Sequence, residues 1–363
     1  MFDELLAQFD FDAPTVNFDY TTKEGWREFV EFDAPRPAPC TMSEYEEMAA
    51  SDRAIYNIAR ERFMSVGARI ATPSLRRFVA AASSAMADNR SPDASKSGVV
   101  ISGRPSMGKT TAVQEFGRAY ERARRERAGT RRKDLIPVAF AQVPTHATEK
   151  TMMKKLAEFY ALPFSQTASY ETLLGRVSNV MRACETEIVI IDDIHRLDLR
   201  YRASEQAADA LKELSERCPG TMIYAGVNVA QNGLFWGSRG EQIMARFETV
   251  QFDEYDVATN EGAAVWGRVL TELEDSLCLI RQPEGDILKI AAELREISRG
   301  SLGRMAKAIR RCARDAIRDR SEQLDLDHLL VVLETIRRLE DRVAGEAAQS
   351  TRRPRGRRVK AGR

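Results

Sequence analysis

One run constrains this chain more than any other: Gly103-Arg104-Pro105-Ser106-Met107-Gly108-Lys109-Thr110, continued by Thr111. It follows the apolar Val99-Val100-Ile101 and precedes a helix-forming segment, Thr111–Arg127. That order predicts a strand, a tight loop and a helix. Two glycines flanking four residues let the backbone curl until its N–H groups point inward, a concavity suited to anions. Gly103 to Thr111 are therefore candidate phosphate-binding residues. Lys109 is placed to reach the β- and γ-phosphates of a nucleotide, and the Thr110 hydroxyl to ligate Mg²⁺. The helix expected near Lys109 adds its positive end. The alternative is an unrelated glycine loop, and the flanking strand and helix argue against it.

Glu187-Ile-Val-Ile-Ile-Asp-Asp193 is the second constraint. An unbroken apolar run reads as a strand buried on both faces, as in a parallel sheet. Ligands of such sheets sit at the carboxyl ends of the strands. Asp192 is then placed to hold Mg²⁺ through water and Asp193 to orient or deprotonate an attacking water. A strand ending in a polar turn is the plainer reading of this run taken alone.

With 363 residues the chain can bury a large core. Lys+Arg 55 against Asp+Glu 54 leaves a net charge of +1, so partners must be inferred from where the charges lie. No apolar run reaches membrane-span length and the start Met1-Phe-Asp-Glu is not a secretory signal, so a cytoplasmic protein is expected. Cys40, Cys184, Cys218, Cys278 and Cys312 are odd in number and lack metal-ligand spacing, which suits reduced thiols. Three histidines, His146, His195 and His328, are too dispersed for a metal site.

Along the chain, residues 1–69 read as an irregular aromatic and acidic arm followed by a helix over Ser43–Met64, with Ser43 as cap and Glu46 as its partner. Residues 70–255 alternate strands with amphipathic helices. The further strands are Leu135–Val143, Thr221–Val227 and Glu248–Phe252, which implies a parallel, helix-covered sheet. Residues 256–344 hold only helical patterns, Thr259–Leu279, Asp286–Ser298, Ser301–Arg318 and Asp325–Val343. From 345 to 363 the composition turns to Ala, Gly, Ser and Arg, which reads as a disordered basic tail.

In these pieces the chain resembles an AAA+ ATPase and, more narrowly, the transposition-regulator ATPases of the TniB/TnsC type. The resemblance runs from about Ile70 to Arg320. It rests on Arg69-Ile-Ala-Thr-Pro73, the phosphate loop, Val143-Pro-Thr-His-Ala-Thr-Glu-Lys150, Ile190-Ile-Asp-Asp-Ile-His-Arg-Leu197, Tyr224-Ala-Gly-Val-Asn228, Gln242-Ile-Met-Ala-Arg-Phe247 and Gly300-Ser-Leu-Gly-Arg304. It implies an α/β fold: a P-loop AAA+ parallel sheet covered by helices, then a C-terminal helical lid. It implies ATP and Mg²⁺ as ligands and ATP hydrolysis as the activity. The expected partners are double-stranded DNA, a transposase, a target-selection protein and further copies of the chain in a ring or filament. By the same resemblance Asn228 would sense the γ-phosphate, although Asn also suits a plain turn there. Arg246, or Arg239, would reach a neighbouring subunit's nucleotide, and Arg304 would reach it from the lid. AAA+ proteins commonly carry Glu after the metal-binding Asp. Asp193 sets its carboxylate back by one C–C bond, roughly 1.5 Å, so slow hydrolysis is expected.

Two basic stretches are candidates for DNA. The run Arg118, Arg122, Arg124, Arg125, Arg127, Arg131, Arg132 and Lys133 is diluted by Glu121, Glu126 and Asp134 and reads equally as a solvated face. In the family, the segment after the second strand lines a pore and touches the DNA backbone, which implies Thr145, His146 and Lys150. Other readings remain open: an initiator, loader or defence-system ATPase, or a small-molecule kinase or metabolic P-loop enzyme.

Overall fold

The computed structural model describes residues 17–66, 70–91, 95–129, 132, 134–145, 147–197, 203–229, 231, 235, 237–254 and 257–352. In chain order these form α1 (Lys23–Glu31), α2 (Met42–Glu47), α3 (Ala50–Val66), α4 (Pro73–Asp88), β1 (Gly98–Gly103), α5 (Lys109–Ala128), β2 (Val138–Gln142) and α6 (Glu149–Phe159). Then come α7 (Tyr170–Ala183), β3 (Ile188–Asp192), α8 (Ala203–Arg217), β4 (Thr221–Val227), α9 (Gly237–Met244), β5 (Phe247–Phe252), α10 (Asn260–Asp275), α11 (Ala291–Ser298), α12 (Leu302–Arg318) and α13 (Leu326–Arg352). They divide into two compact units, one holding the described parts of 1–35 and 71–253, the other those of 36–70 and 254–363.

The first unit is built on a five-stranded sheet of order β2-β3-β4-β1-β5. All its pairs are parallel. The apolar runs explain this arrangement: β1 and β3 are buried at every residue, which a sheet covered on both faces requires. β4 lies between β1 and β3, with Gly103 opposite Val227 and Gln142 opposite Asp192. The carboxyl ends of β1, β3 and β4 therefore meet at one edge.

The amino-terminal segment expected to be irregular contains a helix. Thr22 caps α1, and Trp26, Phe29 and Val30 recur at helical spacing and are buried. The Trp26 ring stacks on Phe140 of β2, centroids 5.5 Å apart, and its indole N–H donates to Glu121 at 3.0 Å.

The second unit packs α3 and α10–α13 around Met64, Trp266, Leu270, Leu294, Met305 and Leu333. The helix expected over Ser43–Met64 is two helices. Thr41, rather than Ser43, is the cap, in a reciprocal box with Glu44. Arg53 then takes the Glu46 and Met48 carbonyls at the break. The helix expected over Asp286–Ser298 begins as a 3₁₀ turn, because buried Glu274 accepts the Gly285 and Ile287 N–H groups and tightens it. Helix α13 runs to Arg352 through the first part of the expected tail, where Glu346, Ala347, Ala348 and Gln349 are good helix formers. Residues 353–363 of that tail lie outside the described residues.

Arg60 and Glu322 form a bidentate ion pair at 2.6 and 2.9 Å, with both side chains fully buried. Arg60 also faces the rings of Tyr45 and Tyr56. Removing one partner strands a charge in the interior. Glu322→Ala should destabilise the helical unit by about 3–5 kcal/mol, read as an earlier urea transition by circular dichroism; an unmoved transition would show the pair to be dispensable.

Candidate nucleotide site

At the shared strand edge the chain leaves β1 through Gly103, whose φ of +151° and closeness to the Phe252 carbonyl leave no room for a Cβ. Gly108, at φ +83°, is the N-cap of α5 and has no side chain to cap it, so the first-turn N–H groups stay available to an anion. A Cβ at Gly108 would meet no atom within 4 Å, so its requirement is conformational.

The Lys109 ammonium donates to the carbonyls of Gly103 and Arg104 at 2.9 and 2.5 Å and is 7% exposed. Burial pushes its pKa down, and the charges of Asp192 and Asp193 pull it back up. The Thr110 hydroxyl donates to Asp192 Oδ2 at 2.8 Å, and the Asp193 N–H donates to Oδ1 at 2.8 Å. Asp192 is 1% exposed; burial raises its pKa, while the Thr110 hydrogen bond opposes the rise.

Asp193 sits in a left-handed turn at φ +56°. Its carboxylate accepts from Gln142 Nε2 at 3.0 Å and pairs with Arg196 at 3.0 Å. His195 Nδ1 accepts the Val227 N–H at 3.1 Å, which places the proton of the neutral ring on Nε2, and burial lowers its pKa. Asn228, at φ +47°, is exposed, and its N–H donates to the Gly103 carbonyl at 3.3 Å.

The fold thus brings together Gly103, Lys109, Thr110, Asp192, Asp193 and Asn228. It adds Gln142 and Arg196, which sequence reasoning missed. The signals were a polar end to an otherwise apolar strand and an Arg three residues after Asp193. Thr110 and Asp192 form a compact pair of hard oxygen donors. No group of three or more His, Cys, Asp or Glu able to hold a metal occurs among the described residues. Two protein oxygens, completed by phosphate and water, suit Mg²⁺ rather than an ion needing a full protein cage.

Other candidates lie apart. Arg246 precedes β5 and pairs with Glu216 at 3.2 Å. Arg239 lies in α9, with its side chain outside the described set. Arg304, in the helical unit, is held by Glu340 at 2.6 Å. Thr145 is exposed, and Lys150, in the first turn of α6, has no carboxylate partner among the described residues. Lys154 and Lys155 are engaged by Gln166 and Glu158, and His146 lies outside the described residues. Ala147 bridges Leu197, tying this segment to the turn after β3.

The basic run within and beyond α5 is mostly consumed internally. Arg118 and Arg122 bind the Phe32 carbonyl, Arg124 pairs with Glu185 and Glu187, Arg125 with Glu121, and Arg132 with Asp134 and Glu185. Arg131 and Lys133 lie outside the described residues.

The sheet order, the loop and the paired acids at the strand edge define a P-loop AAA+ fold. The chain is similar to the Aeropyrum pernix ORC1 protein, solved in complex with DNA, at TM-score 0.53 and 16% identity, covering 80% of this chain and 72% of that one. It is similar to the A. pernix ORC2 protein, solved as ADPNP-ADP complexes, at TM-score 0.51 and 14% identity, covering 75% and 70%. No curated protein sequence matches it. The model of the family described as "Bacterial TniB protein" matches residues 70–257, just over half of the chain, and the chain belongs to that family. No helix among the described residues is long and apolar enough to cross a membrane.

Mg²⁺ with ATP should raise the thermal midpoint, by the equivalent of about 2.7 kcal/mol at a hundredfold excess over Kd. Lys109→Ala should abolish the shift and EDTA should reduce it. A full shift in Lys109→Ala would remove the loop from the binding site.

Proposed function

We propose that this TniB-family protein is a slow ATPase that assembles on double-stranded DNA when ATP is bound and regulates transposition by linking a target-selection protein to a transposase. The convergence of Lys109, Thr110, Asp192 and Asp193 at one strand edge carries the reading.

In it, residues 103–111 cradle the phosphates, Lys109 exchanges its loop carbonyls for phosphate oxygens, and Thr110 and Asp192 hold Mg²⁺. Bound Mg²⁺ supplies charge neutralisation on the phosphates. Asp193 orients the attacking water and accepts its proton, with Asn228 beside the γ-phosphate. Arg304 reaches the nucleotide from the lid. Slow turnover follows from two features of Asp193: its short side chain, and the Gln142 and Arg196 contacts that compete for its carboxylate. Thr145, His146 and Lys150 touch the DNA backbone, which positions the protein without reading sequence. The Ala147–Leu197 bridge gives that contact a short route to Arg196 and Asp193. Arg246, or Arg239, acts across the interface between copies.

Asp193→Asn should keep nucleotide binding and lose hydrolysis, while Asp193→Glu should hydrolyse faster than the natural chain; a slower Glu variant would mean that the site is built around Asp. Arg246→Ala should bind ATP without hydrolysing it. Mixed with Lys109→Ala, it should recover part of the activity, because each copy supplies what the other lacks. An inactive mixture alongside a fully active Arg239→Ala protein would rule out a shared site. Direct capture of a transposase would separate this reading from that of an initiator or loader.

A further inference from the structure

Helix α12 divides cleanly. Met305, Ala308, Ile309, Cys312, Ala313, Ala316 and Ile317 form a buried face. The opposite face carries Lys307, Arg310, Arg311 and Arg314, at the three- and four-residue spacing of one helical side. Lys307 and Arg311 are exposed, and Arg310 and Arg314 half-buried.

None of these four has a carboxylate within ion-pair distance among the described residues, unlike most cations around them. In the same unit Arg36 pairs with Asp275, Arg281 with Glu46, Arg295 with Glu254, Arg299 with Asp341, Arg304 with Glu340 and Arg337 with Glu334. Asp315, next to Arg314 on the same helix, lies instead within 3.8 Å of Arg318 and of His328. Arg310 is partly desolvated and feels only the like charge of Arg314, so its pKa is pushed down by burial and then by that neighbour. Four unneutralised cations in one row repel one another, and a polyanion relieves that repulsion.

We propose that this face of α12 is a second nucleic-acid contact, binding the sugar–phosphate backbone without sequence preference. The row from Lys307 to Arg314 covers eight residues, about 10 Å of helix, a length over which a duplex presents several phosphates. Three of the four cations are Arg, whose fork grips phosphate oxygens in pairs. No apolar or aromatic anchor interrupts the stripe, as the centre of a protein interface would require. The inference rests on the reading that the protein works on DNA, but it concerns different residues from Thr145, His146 and Lys150.

The test uses the full chain carrying Lys307→Gln, Arg311→Gln and Arg314→Gln together. Gln keeps helix propensity at these positions, and circular dichroism checks the fold. Arg310 is left in place because its stem is packed. Binding to a labelled duplex of arbitrary sequence, with ATP, is followed by anisotropy across a salt series. The log–log salt slope should fall by about 0.9 per lost phosphate contact, so by ~2–3 in the triple variant. The charge-preserving double variant, Arg311→Lys and Arg314→Lys with Lys307 unchanged, should keep most of the slope. A Gln variant with the natural slope overturns the inference while leaving the DNA reading intact. A natural chain that binds no duplex overturns both. Loss of slope in the Gln variant with an unaffected Lys150→Ala protein supports the α12 contact and removes the Lys150 assignment. A Gln variant that binds DNA with the natural slope but no longer self-associates in sedimentation assigns the face to a protein contact instead, and overturns the inference.

Discussion

The structure turns on a buried ammonium. Lys109 lies almost out of solvent, and an isolated charge there would cost many kcal/mol. Its proton donors are satisfied by the carbonyls of Gly103 and Arg104, the residues that shape the loop. The same Gly103 carbonyl receives the N–H of Asn228 from the end of β4. His195, in the turn after β3, accepts the N–H of Val227 one residue earlier. One set of hydrogen bonds thus links the ends of β1, β3 and β4 to the lysine. That linkage is possible only because β4 lies between the other two strands.

Charge on this molecule is informative only residue by residue. A net charge of +1 hides two kinds of cation. The arginines of and beyond α5 hold the amino-terminal arm and pair with neighbouring acids, and so belong to the fold. Lys150 and the stripe on α12 have no such partners among the described residues. Partnered cations contribute little to a polyanion surface, because the neighbouring carboxylate cancels much of their field. The unpartnered ones are where the fold has left charge unspent.

What was legible in the sequence was local. The strand, tight loop and helix around Gly103–Thr110 and the fully buried β3 ending at Asp192 are each set by a few neighbouring residues, and each element forms where it was read. What was missed depends on distant partners. α1 was obscured because its Trp26, Phe29 and Val30 sit among scattered aromatics, and only the sheet unit selects them. Gln142 meets Asp193 from the neighbouring strand, so no spacing announces it, whereas Arg196 lies three residues on in the same turn and was a local signal overlooked. Ser43 lost to Thr41 because the reciprocal partner is Glu44, not Glu46. The breaks inside two expected helices come from Arg53 and Glu274 capturing backbone groups across a turn.

The central claim is that nucleotide held by Lys109 and its loop gates assembly on DNA. Electron microscopy of the full chain with a long duplex of arbitrary sequence, with and without a non-hydrolysable ATP analogue, tests it most directly. The account predicts regular rings or filaments on the duplex with the analogue, and none without it. Bare DNA in the presence of the analogue, or the same assemblies in the absence of any nucleotide, would contradict it.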